Sequence, residues 1–179
     1  MRRAIVAFTL AMATLSAGVA QAKTVVVTAA RLLDVATGKY VEQPMVVIAD
    51  GRITAVGTPA TMTVPADAQK IDLPGQTLLP GLIDMHVHLD STPKYGGYTG
   101  LAFTDSFWTV VAVPNAAATL NAGFTSVRNV GSDRYNDVAL MEAINEGIIP
   151  GPRITPAGYA LSATGGHCDT TYFPPSVNM

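Results

Sequence analysis

The chain has 179 residues, of which 49% are hydrophobic and 13% charged, and its formal net charge is −2. This composition is typical of globular sequence and argues against a disordered chain. The sequence has no basic cluster, helix-turn-helix pattern or zinc-finger spacing, so we expect no nucleic-acid partner. Because Cys168 is the single cysteine, the chain cannot form an intrachain disulfide.

Residues 1–22 are typical of a cleaved export signal. Arg2 and Arg3 give a positive start, residues 4–19 form an apolar segment, and Ala20-Gln21-Ala22 matches an A-x-A cleavage site. The alternative is an uncleaved anchor, but the apolar segment is shorter than the ~20 residues that span a bilayer. We therefore predict a periplasmic or secreted protein without a stable membrane anchor.

Residues 23–79 consist of short strands and tight turns. A β-branched run over 24–27 predicts a strand, and the pair Asp50-Gly51 predicts a hairpin that joins Met45–Ala49 to residues 52–56. Residues 73–76, Leu-Pro-Gly-Gln, fit a type II turn. The segment therefore predicts a small antiparallel β unit whose weakly alternating strands await a partner layer.

After Pro80 the pattern changes to alternating strands and helices. Helices are predicted over 106–122, where Pro114 indicates a kink or a late restart, and over 137–146, where Asn136 is the expected cap. Glycines at 123 and 147 are expected to end them. Strands are predicted around 82–89 and over 124–129 and 153–157. This β-α-β-α-β order predicts the start of a parallel sheet with right-handed crossovers.

The first of these strands carries the candidate chemistry. A two-residue period places Asp84, His86 and His88 on one face and the apolar residues 83, 85, 87 and 89 on the other. The two histidine Cα atoms would lie about 7 Å apart, so both rings can converge on one ion at Zn–N distances of roughly 2.0–2.1 Å. Two histidines supply half of the ligands of a tetrahedral site. The alternative to a metal site is that one of the histidines is hydrogen-bonded in the core.

Residues 79–88, Leu-Pro-Gly-Leu-Ile-Asp-Met-His-Val-His, resemble the first-barrel-strand signature of the metal-dependent amidohydrolases. The resemblance extends over most of the chain after residue 23. It implies an α/β fold in which residues 80–179 form the first two to three units of an incomplete TIM-like (β/α)8 barrel. Residues 23–79 would then be the N-terminal part of a small β-sandwich.

The same resemblance implies a metal site with one or two divalent ions, usually zinc, of which His86 and His88 would hold the more buried one. In this family the ion activates a water molecule and polarises the scissile carbonyl. A bridging lysine or acid, further histidines and an aspartate that acts as general acid/base come from later strands. Those strands are not in this sequence, so no catalytic residue is assigned.

Three further positions have alternative interpretations. Asp84 is a candidate carboxylate partner for a ligating histidine, or a structural hydrogen-bonding group. His167 follows two glycines after the third strand, where amidohydrolases resembling imidazolonepropionases and Xaa-Pro dipeptidases carry a similar Gly-Gly-His. This predicts a substrate contact, with a plain loop histidine as the alternative. Asn129 stands where related sequences often have aspartate, so it removes an ion pair but keeps hydrogen bonding.

A barrel of this type needs ~250 residues, whereas about 100 follow Pro80, which predicts an N-terminal fragment. We expect a metal-dependent hydrolase of a C–N bond in a small substrate such as a dipeptide or N-acyl amino acid. The isolated fragment is expected to be inactive, and the intact form can be a homo-oligomer. The alternatives are a cyclic-amide hydrolase or deaminase of the same superfamily, a non-catalytic fragment, or an interaction module.

Overall fold

The computed structural model describes residues 24–169. The predicted export signal lies outside these residues. The chain divides into two compact units, one ending at Leu79 and the other beginning at Pro80. Within the described residues, no helix combines the length and the apolar character that a membrane crossing requires.

The first unit is a five-stranded sheet built around its first strand. The strands are β1 (Val25–Asp34), β2 (Lys39–Glu42), β3 (Met45–Ala49), β4 (Arg52–Gly57) and β5 (Gln69–Leu78). Their order is β2-β1-β3-β4, and β5 also pairs with β1. The long strand β1 therefore contacts three others, and its Val26 is buried together with Met45 and Val46 of β3.

The hairpin predicted at Asp50-Gly51 is confirmed. Both residues have positive φ, 51° and 70°, as a two-residue type I′ turn requires. The turn sets the register of β3 and β4, in which Val46 lies opposite Val56. Local turn chemistry was enough to predict this pair of strands.

One other prediction for this unit is wrong. The sheet is not wholly antiparallel, because β5 runs parallel to β1 after the connection over residues 58–68. The type II turn predicted over residues 73–76 agrees with the positive φ of Gly75, 74°, and it lies inside β5, which continues through it while the register with β1 shifts. Pro74 has no N–H group to donate to the neighbouring strand, and Gly75 adopts a left-handed conformation. A bulge in the sheet accommodates both residues.

The second unit has the β-α-β-α-β order that the sequence predicts. Three parallel strands, β6 (Leu82–Val87), β7 (Phe124–Asn129) and β8 (Arg153–Thr155), alternate with α1 (Asp105–Asn121) and α2 (Asn136–Asn145). Two short 3-10 helices, Pro93–Tyr95 and Gly97–Ala102, precede α1. The core contains six buried apolar residues from the strands, the helices and the turn after β6: Leu89, Ala112, Ala116, Val127, Leu140 and Ile154.

The helices differ from the sequence predictions in two details. A late restart at Pro114 is wrong, because α1 runs through it as one helix of 17 residues. A residue other than proline at 114 would donate its N–H to the carbonyl of Val110. Because Val110 is exposed, water can take the place of that donor. Asn136 is not the cap of α2 but its first residue, and Tyr135 precedes it with φ 56°. The side chain of Asn136 makes contacts with other elements instead. The third strand is also shorter than predicted, ending at Thr155.

Candidate metal and substrate site

The strand that carries the histidines contains a bulge. Asp84 pairs with Val127 and Val87 with Asn129, so β6 uses one more residue than β7 over this step. The alternation predicted for residues 83–89 therefore does not hold throughout. Val87 and Leu89 pack in the core, whereas the side chains at 83 and 85 are 65% and 67% exposed.

His86 and His88 lie together at the carboxyl end of β6. Their ring centroids are 5.5 Å apart and the ring planes meet at 73°. Nδ1 of His88 is 2.9 Å from the carbonyl oxygen of Gly131. Because a carbonyl only accepts, this bond assigns the proton to Nδ1 and leaves Nε2 of the neutral ring as the lone-pair donor. This is the arrangement typical of metal-ligating histidines.

The donor set is suited to a divalent ion but contains half of the ligands that a tetrahedral site needs. Neutral imidazoles bind zinc well, and one of these two rings has its tautomer fixed. Within residues 24–169, no group of three histidine, cysteine or acidic side chains is arranged to hold a metal ion. The two histidines are therefore a partial donor set for such an ion.

Asp84 contacts the backbone of the histidine strand. Its Oδ1 accepts the backbone N–H of His86 at 3.0 Å. Such a bond between an aspartate side chain and the amide two residues on is typical of local turns, and here it accompanies the bulge. The predicted contact between Asp84 and a ligating ring stays a prediction.

His167 lies in an exposed turn after β8. The turn is formed by a hydrogen bond from Gly166 N to Ala163 O and by one from Gly165 N to Asp169 Oδ2. Among the described residues, the His167 ring has no hydrogen-bond partner, and it does not line the cleft that contains His88. The neighbouring Cys168 does line that cleft. A substrate contact by His167 stays a prediction.

The backbone that follows His88 is held by two asparagines. Asn129 is fully buried, and its Oδ1 accepts the N–H of Leu89 at 2.9 Å. From α1, Asn115 donates to the carbonyls of Leu89 and Ser91 at 2.8 and 3.1 Å. The segment that places the histidine is thus tied to the neighbouring strand and to the first helix.

A buried carboxylate, Asp90, also holds the segment that follows His88. Asp90 accepts from Ser132 Oγ at 2.6 Å and from Asn136 Nδ2 at 3.3 Å. Asn136 also accepts from Thr109 of α1 at 2.6 Å. These residues were not predicted from the sequence as part of the site, although the position of Asp90, two residues after His88, was a usable signal.

A cleft of about 960 Å³ opens beside His88 and Asp90. It lies where the segments after the three parallel strands meet, which is the side that carries active sites in parallel α/β folds. Aromatic rings from the segment before α1 and from its first turn pack together beside the cleft, with centroid separations of 4.1–6.4 Å. This aromatic cluster consists of Tyr95, Phe103, Phe107 and Trp108. Arg134 and Asp105 also line the cleft and form an exposed ion pair at 3.4 Å.

This chain is similar to several known proteins. A dihydroorotase of Syntrophotalea carbinolica is 40% identical over 98 residues, which cover 52% of this chain and 22% of that protein. An ochratoxinase of Aspergillus niger is 35% identical over 104 residues, covering 54% and 20%. A crystal structure of a Xaa-Pro dipeptidase with bound methionine in the active site has 30% identity and a TM-score of 0.73 over 83% of this chain and 36% of that one.

One family profile matches a region that contains the histidine strand. This chain spans about a fifth of the length of the two curated relatives named above. Residues 77–175 match the profile of the family described as "Amidohydrolase family", which is more than half of the chain. The chain therefore belongs to the amidohydrolase family.

Proposed function

We propose that this chain is part of a metal-dependent hydrolase that cleaves a C–N bond in a small amide or peptide. The observation that carries the proposal is the pair His86 and His88, with Nδ1 of His88 bound to a carbonyl so that Nε2 is available to an ion. Zinc is the proposed metal, and when bound it would supply a Lewis acid that activates water and polarises a carbonyl. The protein residues hold and orient the ligating rings.

The architecture proposed for the complete protein comprises a parallel (β/α)8 barrel and a β-sandwich. Residues 80–179 would be the first barrel units and residues 23–79 part of the sandwich. In support, β8 is an edge strand among the described residues, and Ile53 and Val56 of β4 are 66% and 53% exposed. Strand edges and apolar faces of this kind are normally covered.

The cleft favours a substrate with both an apolar group and a charged group. The aromatic cluster offers a surface for an apolar side chain. The guanidinium of Arg134 pairs with Asp105 and is exposed, so it can also donate to a substrate carboxylate. A dipeptide or an N-acyl amino acid has both features. The similarity to a Xaa-Pro dipeptidase supports this class, whereas the similarity to a dihydroorotase supports the runner-up, a cyclic-amide hydrolase or deaminase. His167 is proposed as a further substrate contact.

Export to the periplasm or the medium is proposed from residues 1–22 alone. An exported hydrolase is suited to scavenging peptides, and export therefore agrees with the proposed substrate class. N-terminal sequencing of the mature protein would test it, with Lys23 as the expected first residue.

The test of the proposed function uses the complete protein that contains this chain. His86→Ala and His88→Ala should each abolish zinc retention, measured by elemental analysis, together with hydrolysis of a panel of dipeptides and N-acyl amino acids. His167→Ala is the matched control for metal content, and it should keep zinc while raising KM. Full zinc content in either of the first two variants would refute the ligand assignment. Zinc-independent turnover would refute the metal-dependent mechanism.

A further inference from the structure

Asn129 makes three hydrogen bonds at the end of β7, where it is completely buried. Its Oδ1 accepts from Leu89 N, and its Nδ2 donates to Gly131 O at 3.0 Å and to Asp137 Oδ2 at 3.2 Å. The orientation of this amide follows from its partners, because one is a donor and two are acceptors. The opposite orientation would place oxygen against oxygen twice and nitrogen against an N–H group.

Two of these bonds act on His88 from different sides. Leu89 is the next residue along the chain, so the bond to its N–H fixes the backbone from which the His88 ring extends. Gly131 O accepts from Asn129 Nδ2 and also from His88 Nδ1. One buried amide therefore holds both the histidine backbone and the carbonyl that determines its tautomer.

We infer that Asn129 is a positioning residue for His88. It fixes the ring with Nδ1 protonated and with Nε2 free to bind a metal ion. The part of this inference that concerns zinc rests on the proposed function, whereas the part that concerns the tautomer stands on the hydrogen bonds alone. Hydrogen bonds made by Asp137 also help to fix the Asn129 amide. The third partner, Asp137, receives two backbone N–H groups at the same oxygen, so the carboxylate that orients the amide is itself fixed.

An aspartate could not do this work at position 129. It would accept from Leu89 N, but its second oxygen would face the Gly131 carbonyl and the Asp137 carboxylate without a proton to donate. Like charges and opposed acceptors at these distances are unfavourable in a buried site. An amide at position 129 therefore matches the acidic residue on α2.

The test compares Asn129→Asp with Asn145→Asp, the same chemical change at an exposed residue of the same unit, in the complete protein. The first readout is the 15N spectrum of the histidine rings in the metal-free protein. In the wild type and in Asn145→Asp, His88 should show a protonated Nδ1, and in Asn129→Asp it should show a mixture of tautomers. The His86 ring serves as an internal control, since a general loss of structure would alter both rings.

The second readout is zinc affinity, measured by competition with a chromophoric chelator. Asn129→Asp should weaken binding about 10- to 100-fold, while Asn145→Asp stays within about twofold of the wild type. Should Asn129→Asp not fold, Asn129→Ser replaces it, with the same expected change in the His88 tautomer. An unchanged His88 spectrum in a folded variant at 129 would overturn the inference. Failure of the wild type to bind zinc would instead count against the proposed function, leaving the tautomer to decide the inference.

Discussion

The carboxylate of Asp137 gives the sharpest test of how the second unit is held together. One of its oxygens, Oδ2, accepts from Ala157 N at 2.9 Å, from Gly158 N at 3.1 Å and from Asn129 Nδ2 at 3.2 Å, and the residue is 1% exposed. Asp137→Ala would leave three donors, two of them in buried bonds, without their acceptor. We expect a large local destabilisation of the segment after β8.

The magnitude follows from the number and kind of bonds. A hydrogen bond to a charged group contributes about 1.5–3 kcal/mol, but the three losses are not additive because neighbouring groups relax. Leaving a buried donor unsatisfied costs about 1–3 kcal/mol, so we expect a total loss of about 3 kcal/mol. Since every 1.4 kcal/mol is a factor of ten, the amides of Ala157 and Gly158 should exchange at least roughly 100-fold faster in Asp137→Ala.

Hydrogen exchange of peptides covering residues 155–160 in the complete protein measures this effect. Asp137→Asn is the matched variant, because its oxygen can stay with the three donors while its nitrogen takes the place of Oδ1, which has no partner among the described residues. It should cost about 1–2 kcal/mol through the loss of charge. Asp133→Ala, at an exposed neighbouring acid, should leave exchange unchanged. Exchange within threefold of the wild type in Asp137→Ala would refute the reasoning.

Three further predictions concern other parts of the chain. Gly131→Ala would place a Cβ 2.7 Å from the Cβ of Ala160, so the loop must move, and zinc affinity should fall about tenfold. The hydrogen bond from Thr37 and the backbone N–H of residue 36 lower the pKa of Asp34, so its stabilising effect is present above the ordinary carboxyl range and is lost as pH falls through the lowered pKa. Thr37→Ala should therefore raise the Asp34 pKa, measured by 13C NMR. Trp108→Ala should raise KM for apolar substrates about tenfold with zinc content unchanged.

Each of these has a control. Gly96→Ala meets its nearest atom at an ordinary 3.5 Å and should not alter zinc affinity, and equal effects at 96 and 131 would contradict the steric argument. Thr28→Ala removes a hydroxyl that donates to a different carboxylate of the same sheet, Asp72, and should leave the Asp34 pKa unchanged. Trp108→Phe should keep most of the apolar contact, so a KM that rises equally in both variants would exclude the proposed aromatic surface.

The sequence alone determined the features that depend on a few neighbouring residues. Asp50-Gly51 specified its hairpin because both positions need positive φ. Gly123 and Gly147, with φ of 96° and 70°, follow the two helices where the sequence places their ends. The strand over Phe124–Asn129 and the order of elements after Pro80 followed from periodicity in the same way.

Only the tertiary structure decided which polar groups meet, because those meetings join residues far apart in the chain. The bonds from His88 to Gly131 and from Leu89 to Asn129 span 43 and 40 residues. Their partners depend on the path of β7 and on the bulge in β6, which no local pattern encodes. The same reason explains why Asn136, a good helix cap by local preference, instead links α1 to Asp90. Local preferences differ by about 1 kcal/mol, and buried hydrogen bonds between elements are strong enough to override them.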